Sequence, residues 1–232
     1  MHGQVPLEDI LPIVKARGLT VTDYLLSVYL YAFYAADPRA RHSRRPVQIS
    51  VPVSLRQFYP SESLRNFSLF AVLGFDPRAK ERFSFEDVLA ATRGKLAAAT
   101  TREEMHALLC GSVSLMNNPV FRLIPNALKR QCMKLGNLLV GERTSTSVLS
   151  NLGRLALPPC LAAHVEAVEV VLGEGPRKRL QCVALSDERL LHLYFSGSTR
   201  ATDVQRAFFT QLAGEGARVR VESNIRGAEG NP

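Results

Sequence analysis

Histidine is the side chain that most often acts as a general base near neutral pH. The chain has five of them: His2, His42, His106, His164 and His192. His42 stands in a run of arginines, and His192 alternates with Leu190 and Tyr194, as an ordinary half-buried strand residue does. The sequence contains no Gly-rich phosphate loop, no G-x-S-x-G nucleophile motif and no obvious carboxylate pair. These residues therefore do not single out a catalytic base.

The cysteines do not predict a metal site. No two of them form a C-x-x-C pair, and their spacing fits no zinc pattern: Cys110, Cys132, Cys160 and Cys182. In a chain of 232 residues they are expected to be reduced thiols of a cytoplasmic protein. No metal is predicted.

Three short motifs follow or begin strand-like segments: Val51-Pro-Val-Ser-Leu-Arg56, Arg65-Asn66-Phe67 and Ser150-Asn-Leu-Gly153. Taken alone, the last favours a simple turn, because Asn and Gly tolerate positive φ. Taken alone, Arg56 is equally well explained as a surface arginine. Asn66 is placed to hydrogen-bond a crossing backbone at the start of the next strand, which is an architectural role.

In this order and at this spacing, the three motifs resemble the C-terminal half of condensation-type acyltransferases. This is the CoA-dependent acyltransferase superfamily, and the resemblance is closest to its alcohol acetyltransferase and wax-ester-synthase-like branch. It covers most of the chain, from the first helix to the last strand. It implies a chloramphenicol-acetyltransferase-like subdomain, in which a sheet is flanked by helices.

The resemblance also implies roles for individual residues. In this family two subdomains meet like a V around a tunnel, and the corner that corresponds to Asn151 and Gly153 closes one side of it. Hydroxyls just before the corner can point at the reacting carbonyl, and we expect Thr146 and Ser150 to do so from one strand face, since they lie four residues apart. Arg56 is then a structural or cofactor-facing cation near the tunnel.

The family's general base lies in a His-His-x-x-x-Asp motif of the N-terminal half, and no such motif occurs in this sequence. The resemblance therefore implies half of an acyltransferase, truncated or split, that has little activity alone. The co-substrate would be acyl-CoA or a carrier thioester, with an alcohol or amine acceptor and no bound cofactor. Its partner would be a separate N-terminal half. The alternative is a non-catalytic binding module of the same fold, prone to self-association or to binding a partner.

The net charge of +8 suits an anionic partner such as a phosphorylated cofactor, a nucleic acid or a membrane surface. The arginines between 39 and 45 and the Arg177-Lys178-Arg179 cluster are typical of solvated loops, although such charge would also attract the phosphates of CoA. No nucleic-acid motif is present, so nucleic-acid binding is not predicted. Neither a signal peptide nor a transmembrane segment is predicted, since the most apolar stretch, Val21 to Ala36, is short and contains Asp23.

Helical patterns and strand patterns alternate irregularly along the chain. Helices are predicted at Leu7–Arg17, from Thr20 to Asp37, at Ser84–Ala99, Thr101–Met116, Pro119–Leu135 and Thr202–Leu212. Strands are predicted at Val47–Leu55, Asn66–Asp76, Thr144–Asn151, Val165–Leu172, Leu180–Ser186, Leu190–Phe195 and Ala217–Glu222. Pro52 cannot donate to a ladder, so its strand should be an edge there or should be about to leave the sheet.

This order predicts an α+β fold with a mostly antiparallel mixed sheet flanked by helices. We expect connecting helices and a basic loop over residues 1–45 and the acyltransferase-like subdomain over residues 46–225. Residues 226–232 are expected to form a disordered tail.

Overall fold

A seven-stranded sheet organises the part of the chain that the computed structural model describes, which is residues 1–37, 46–119, 123–139, 145–162, 164–173 and 180–224. The strands are β1 (His2–Pro6), β2 (Val47–Ser54), β3 (Ser68–Phe75), β4 (Ser147–Arg154), β5 (Leu180–Ser186), β6 (Leu190–Gly197) and β7 (Arg220–Glu222). Their order is β3-β2-β4-β5-β6-β1-β7. Only β2–β4 and β4–β5 are parallel pairs, so the predicted α+β class with a mostly antiparallel mixed sheet is confirmed.

The helices accompany the sheet. They are α1 (Leu7–Ala16), α2 (Val21–Ala36), α3 (Phe85–Thr92), α4 (Lys95–Ala99), α5 (Arg102–Asn117), α6 (Asn126–Leu139), α7 (Pro159–Ala162) and α8 (Asp203–Gly214). A short 3₁₀ turn, Leu55–Gln57, follows β2. None of the helices in these ranges has both the length and the apolar character that crossing a lipid bilayer requires.

The central helix α2 begins where its capping box predicts. Thr20 Oγ1 accepts a hydrogen bond from the Asp23 N–H, and the Asp23 carboxylate accepts one from the Thr20 N–H. The helix is buried on most sides, between α8, α3 and the sheet, because apolar residues cover nearly its whole circumference. The predicted C-terminal glycine of α1 is also confirmed, since Gly18 has a φ of +63°.

One predicted helix is two helices. Ser84 and Asp87 form the expected capping box, but the helix ends at Thr92 and a new one begins at Lys95. Between them Gly94 has a φ of +72°, which ends a helix. The prediction of one continuous helix to Ala99 was therefore wrong.

Two other segments differ from their predictions. Val165–Leu172 is not a strand: side chains of β6 bind its carbonyl oxygens instead, with Tyr194 Oη donating to Val168 O (2.8 Å) and Ser196 Oγ to Leu172 O (3.2 Å). The helix predicted at Pro119–Leu135 is interrupted: residues 119 and 123 are helical, 124 and 125 are not, and α6 begins at Asn126, because the residue before Pro125 disfavours helical ψ.

The first residues add a strand that was not predicted. β1 pairs with both β6 and β7, and Gly3 passes so close to Phe209 of α8 that a Cβ atom would overlap its ring. The predicted edge position at Pro52 is confirmed on one side: β4 pairs with β2 only at Ile49 and Ser50, whereas on the other side Pro52 lies opposite Phe70 of β3. Both basic clusters and the predicted tail lie outside the described residues, and the domain limits stay predictions.

The two faces of the sheet have cores of different size. The main core joins the sheet to α1, α2, α3 and α8 and contains most of the buried aromatic rings. The other face carries a small cluster of Val183, Leu185 and Tyr194, covered by Leu155 and by side chains of the 168–172 segment. The larger core therefore lies on the α2 side.

A buried hydrogen-bond chain ties α2 to two strands. Ser147 Oγ donates to Leu180 O at 2.5 Å, and the Tyr29 hydroxyl lies 2.8 Å from Ser147 Oγ. Since the only proton of Ser147 is used, Tyr29 must be the donor to it. Burial raises the pKa of the Tyr29 hydroxyl well above its usual value, so it keeps that proton.

We predict that Tyr29→Phe lowers the free energy of unfolding by about 1–2 kcal/mol, because a buried hydrogen bond is lost with little change of shape. Tyr31→Phe is the matched control on the same helix. Its hydroxyl belongs to a half-buried residue, so we expect a change below about 0.5 kcal/mol. Urea unfolding followed by circular dichroism measures both, and equal losses would contradict the structural role of the Tyr29 bond.

Candidate functional site

The Ser-Asn-Leu-Gly motif forms a bulge near the end of β4. Asn151 pairs with Ala184 and Arg154 with Ser186, so three steps along β4 match two along β5. Gly153 has a φ of +75°, which glycine adopts without strain. The motif is thus not a chain-reversing turn, because the strand continues through Arg154.

Asn151 holds the bulge against α2. Its Nδ2 donates to Thr22 Oγ1 at 2.8 Å, and its Oδ1 accepts the Gly153 N–H at 2.9 Å. Ser186 Oγ adds a weaker bond to Gly153 O at 3.3 Å. One asparagine therefore connects the strand end, the bulge and the first turn of the central helix.

A cavity of about 450 Å³ opens beside this bulge, within the size range of small-molecule sites. Its wall is contributed by α1, the start of α2, the bulge and the β5–β6 turn: Leu7, Glu8, Leu11, Val21, Asn151, Gly153, Arg154, Ser186, Asp187, Glu188 and Leu191. We call this space the corner cavity. Its apolar residues come from the helices and Leu191; of its charged residues, Glu8 lies on α1, Arg154 ends β4, and Asp187 and Glu188 form the β5–β6 turn.

The corner cavity has more acidic than basic groups. Glu8, Asp187 and Glu188 line it, and Arg154 is the only basic residue among the described residues of its wall. Arg154 Nη2 lies 3.5 Å from Glu188 Oε1, and Glu8 pairs with Arg218. Such a wall favours ligand groups that donate hydrogen bonds over phosphates.

The predicted hydroxyl pair does not face the corner cavity. Thr146 lies before β4, bonded through its N–H to Gln48 O (2.7 Å), and it lines a different cavity. Five residues of extended chain separate it from Asn151, which is about 17 Å. Ser150 is buried at 8% exposure and, by strand alternation, lies on the face opposite Asn151. The structure therefore does not bring Thr146, Ser150, Asn151 and Gly153 into one site, and their roles at the tunnel and the oxyanion stay predictions.

Arg56 and Asn66 hold the loop between β2 and β3. Arg56 Nη2 donates to Ser63 O (2.6 Å) and to Arg65 O (2.9 Å). Asn66 Oδ1 accepts only a local bond, from Ser68 Oγ at 2.7 Å. The two backbone segments are joined here by a main-chain hydrogen bond instead, from the Leu55 N–H to Phe67 O at 2.9 Å. These contacts give Arg56 a structural role in the loop.

A histidine pair beside the corner cavity was missed by the sequence reasoning. His192 Nε2 lies 2.9 Å from Asp187 Oδ2, and His192 Nδ1 lies 3.1 Å from His2 Nε2. An ionised Asp187 only accepts, so His192 donates to it and accepts from His2. The His2 ring also stacks on Tyr194, with ring centres 4.4 Å apart. Only the pairing of β1 with β6, a contact across 190 residues, brings the two histidines together.

The two ends of this chain of bonds have lowered pKa values. Burial alone would raise the pKa of Asp187, but hydrogen bonds from His192 and from the Leu190 and Arg189 N–H groups lower it overall. The pKa of His2 is lowered by burial and by His192, which outweigh the opposite effect of Glu222 and Glu169. A neutral His2 and an ionised Asp187 are thus the stable forms near neutral pH.

The other described histidines have no such setting. On α5, His106 Nδ1 lies 2.7 Å from Tyr59 Oη and His106 Nε2 lies 3.4 Å from Cys110 Sγ, so no carboxylate or second histidine bonds it. His164 is exposed. His42 lies outside the described residues. No group of three or more His, Cys, Asp or Glu side chains suited to a metal ion occurs within the described ranges.

Solved structures with the same fold are condensation-type proteins. The condensation domain that mediates chain release from the enacyloxin polyketide synthase matches with a TM-score of 0.52 and 14% identity, over 100% of this chain and 42% of that chain. The nonribosomal peptide synthetase FmoA3 matches with 0.56 and 19%, over 93% and 21%. Wax ester synthase/diacylglycerol acyltransferase from Marinobacter aquaeolei VT8 matches with 0.48 and 14%, over 92% and 47%.

These likenesses show the fold: the described chain has the architecture of part of a condensation domain. It spans 42% of the enacyloxin condensation domain and 21% of FmoA3, which agrees with the predicted C-terminal half. No family profile matches the sequence, and no curated protein matches it either.

We predict that stability falls as the pH is lowered from about 7.5 to about 5.5, and that His2→Gln reduces this fall. The folded chain holds the pKa of His2 below its usual 6.5, so the unfolded chain takes up the proton first and is favoured as the pH drops through that value. Above that value the contribution is fully present. Glutamine keeps a donor toward His192 but does not titrate.

His164→Gln is the control. Because His164 is exposed, this substitution should leave the pH dependence of stability unchanged. Urea unfolding at the two pH values measures the effect. If His2→Gln and the unchanged chain lost the same stability on acidification, the assignment to His2 would be wrong.

Proposed function

We propose that this chain is the C-terminal half of a condensation-type acyltransferase, which moves an acyl group from CoA or a carrier thioester to an alcohol or amine. One observation carries the proposal. In a condensation-domain fold, the Ser-Asn-Leu-Gly corner is a built feature, bonded to α2 and opening onto a cavity of about 450 Å³.

The charges of the corner cavity favour binding of the acceptor, the alcohol or amine, rather than of CoA. An alcohol or amine donates hydrogen bonds, and the carboxylates of Asp187 and Glu188 accept them. The phosphates of CoA would be repelled by the same groups, so we place the CoA head group elsewhere. In this proposal Asn151 and Gly153 shape the acceptor end of the tunnel.

The general base is proposed to come from a His-His-x-x-x-Asp half, since the 232-residue sequence has no such motif. His192 does not replace it, because both of its ring nitrogens already have partners. Acyl transfer needs a base that can take the proton of the attacking hydroxyl or amine. The chain alone should therefore bind acyl thioesters without turning them over.

We predict that acetyl-CoA raises the melting temperature of the purified chain, because binding to the folded state stabilises it by mass action. A ligand at ten times its Kd adds about 1.4 kcal/mol. Acetyl-pantetheine, which lacks the nucleotide, separates binding of the thioester from binding of the phosphates. Asn151→Ala should reduce the shift with both ligands, and Asn126→Ala on the exposed start of α6 is the matched control.

Release of free thiol from acetyl-CoA in the presence of an alcohol or amine is the second readout, and none above background is expected. Turnover by the chain alone would overturn the need for a second half. The absence of any shift with either thioester at millimolar concentration would overturn the acyltransferase proposal itself.

A specific surface favours a second function, a non-catalytic interaction module. Exposed apolar side chains project from α5 and α6 and from the outer strand β3: Phe70, Val72, Leu108, Val113, Leu128 and Leu135. On α6, Leu128, Cys132 and Leu135 share one helix face and are all exposed. Apolar surface of this kind is typical of protein–protein contacts.

If the chain is such a module, we predict that it self-associates through α6. Light scattering after size exclusion should show a mass that rises with protein concentration. Leu128→Glu with Leu135→Glu should return the chain to a monomer, whereas Lys129→Glu with Arg130→Glu, which leaves both leucines in place, should not. A chain that is monomeric at all concentrations would contradict self-association, and a response to acetyl-CoA would favour the acyltransferase proposal instead.

A further inference from the structure

A histidine and a cysteine lie together on the outer side of α5. His106 and Cys110 are four residues apart, so they share one face of the helix, and Cys110 Sγ lies 3.4 Å from His106 Nε2. The residue before each of them, Met105 and Leu109, packs into the main core and fixes how the helix is turned. His106 and Cys110 are both exposed, so a dissolved reagent can reach the thiol.

Tyr59 contacts the other nitrogen of this histidine. The residue follows the 3₁₀ turn after β2 and packs partly against the main core, and its Oη lies 2.7 Å from His106 Nδ1. The guanidinium of Arg102 lies over the Tyr59 ring, 5.7 Å from its centre. The contact with Tyr59 keeps Nε2 directed at Cys110. A nucleophile, a base within hydrogen-bond reach and a third group that orients the base form the arrangement that activates a thiol.

The hydrogen-bonding groups allow His106 to act as that base. A tyrosine oxygen can accept a hydrogen bond, so the tautomer with a proton on Nδ1 donates to Tyr59 and leaves the lone pair of Nε2 facing the thiol. Only a thiolate is a good nucleophile, and an ordinary free thiol is only about 3% ionised at pH 7. A base that takes the proton during attack therefore gives Cys110 an advantage over a cysteine without one.

The position of Cys110 favours a disulfide over a thioester as its reaction partner. Attack on a thioester carbonyl creates an oxyanion, which needs a hydrogen-bond donor aimed at it. Cys110 lies in the middle of α5, where the backbone N–H groups are used within the helix, so the backbone offers no such donor. Exchange with a disulfide creates no oxyanion and requires only a thiolate and a proton for the leaving thiol.

We propose that Cys110 is a modification site that forms mixed disulfides with small disulfides such as glutathione disulfide. Cys110 Sγ gives its proton to His106 and attacks one sulfur of the disulfide. A new S–S bond forms, the old one breaks, and the leaving thiolate takes the proton back from His106. The Cys110 sulfur is oxidised, and one equivalent of thiol is released. The site does not depend on acyl transfer.

The modification would change the surface of α5. Val113 lies three residues after Cys110 on the same helix face and is exposed. A tripeptide attached to Cys110 would therefore cover part of the apolar surface that α5 presents to solvent.

The test measures each cysteine of the whole chain in one reaction. The protein is incubated with glutathione disulfide at pH 7, the reaction is stopped with acid, and mass spectrometry of the peptides gives the initial rate at each position. Cys132 is the internal reference, because it is also exposed on a helix and no histidine bonds it among the described residues. Cys110 should react about tenfold faster than Cys132. Equal rates would overturn the proposal.

A variant separates the effect of the base from simple exposure. His106→Gln removes the base at an exposed position, so the fold should tolerate it. The rate at Cys110 should fall about tenfold, while the rate at Cys132 stays the same. His164→Gln is the matched control, since it changes an exposed histidine elsewhere and should leave Cys110 unaffected. A rate at Cys110 that does not change in His106→Gln would show that exposure alone makes it reactive and would overturn the proposal.

Acetyl-CoA under the same conditions distinguishes the two chemistries. We expect no acetyl group on Cys110, and acetylation as fast as the exchange with glutathione disulfide would overturn the assignment to disulfides. The effect of acetyl-CoA on the melting temperature is a separate readout. Failure of the acyltransferase proposal and failure of the thiol site are therefore distinguishable.

Discussion

The burial of α2 against β4 is the constraint on which the rest of the structure depends. The helix is tied to the strand by two hydrogen bonds, Thr22 with Asn151 and Tyr29 with Ser147, and beyond them Phe33 and Thr146 line a second cavity of about 310 Å³. From Thr22 to Tyr29 the helix rises about 10 Å, and from Ser147 to Asn151 the strand runs about 13 Å. Because the helix runs opposite to the strand, its two ends border the cavities at the two ends of β4. A shift of α2 along β4 would therefore alter both.

The fold was predictable where the signal is local. The two capping boxes, at Thr20 and Ser84, and the alternation of β2 each lie within a few residues, and the structure confirms them. The errors have non-local causes. The 165–172 segment has strand-like residues, but side chains from β6 take its carbonyls, so it forms no ladder. β1 is recognisable only through partners that lie about 190 residues later.

The candidate site shows the same division. Its corner was predictable, because Asn and Gly at a strand end indicate a change of backbone conformation. The set of residues that form the site was not predictable. Strand alternation places Ser150 and Asn151 on opposite faces, and the rest of the cavity wall comes from α1 and the β5–β6 turn, which no sequence pattern links to β4. The His2–His192 contact follows from the β1–β6 register, so it could not be found from spacing in the sequence.

The net charge of the whole sequence does not predict the charge of the candidate site. The net charge of +8 suggests an anionic ligand, yet the described residues that line the corner cavity include three carboxylates and one cation. Several described cations are already paired: Arg17 with Glu86 and Glu215, Arg78 with Asp76, and Arg218 with Glu8 and Asp9. Because field strength falls off over about 10 Å in salt, a ligand group responds to the wall beside it rather than to the total. The charges of the described residues that line the corner cavity therefore suit hydrogen-bond donors better than phosphates.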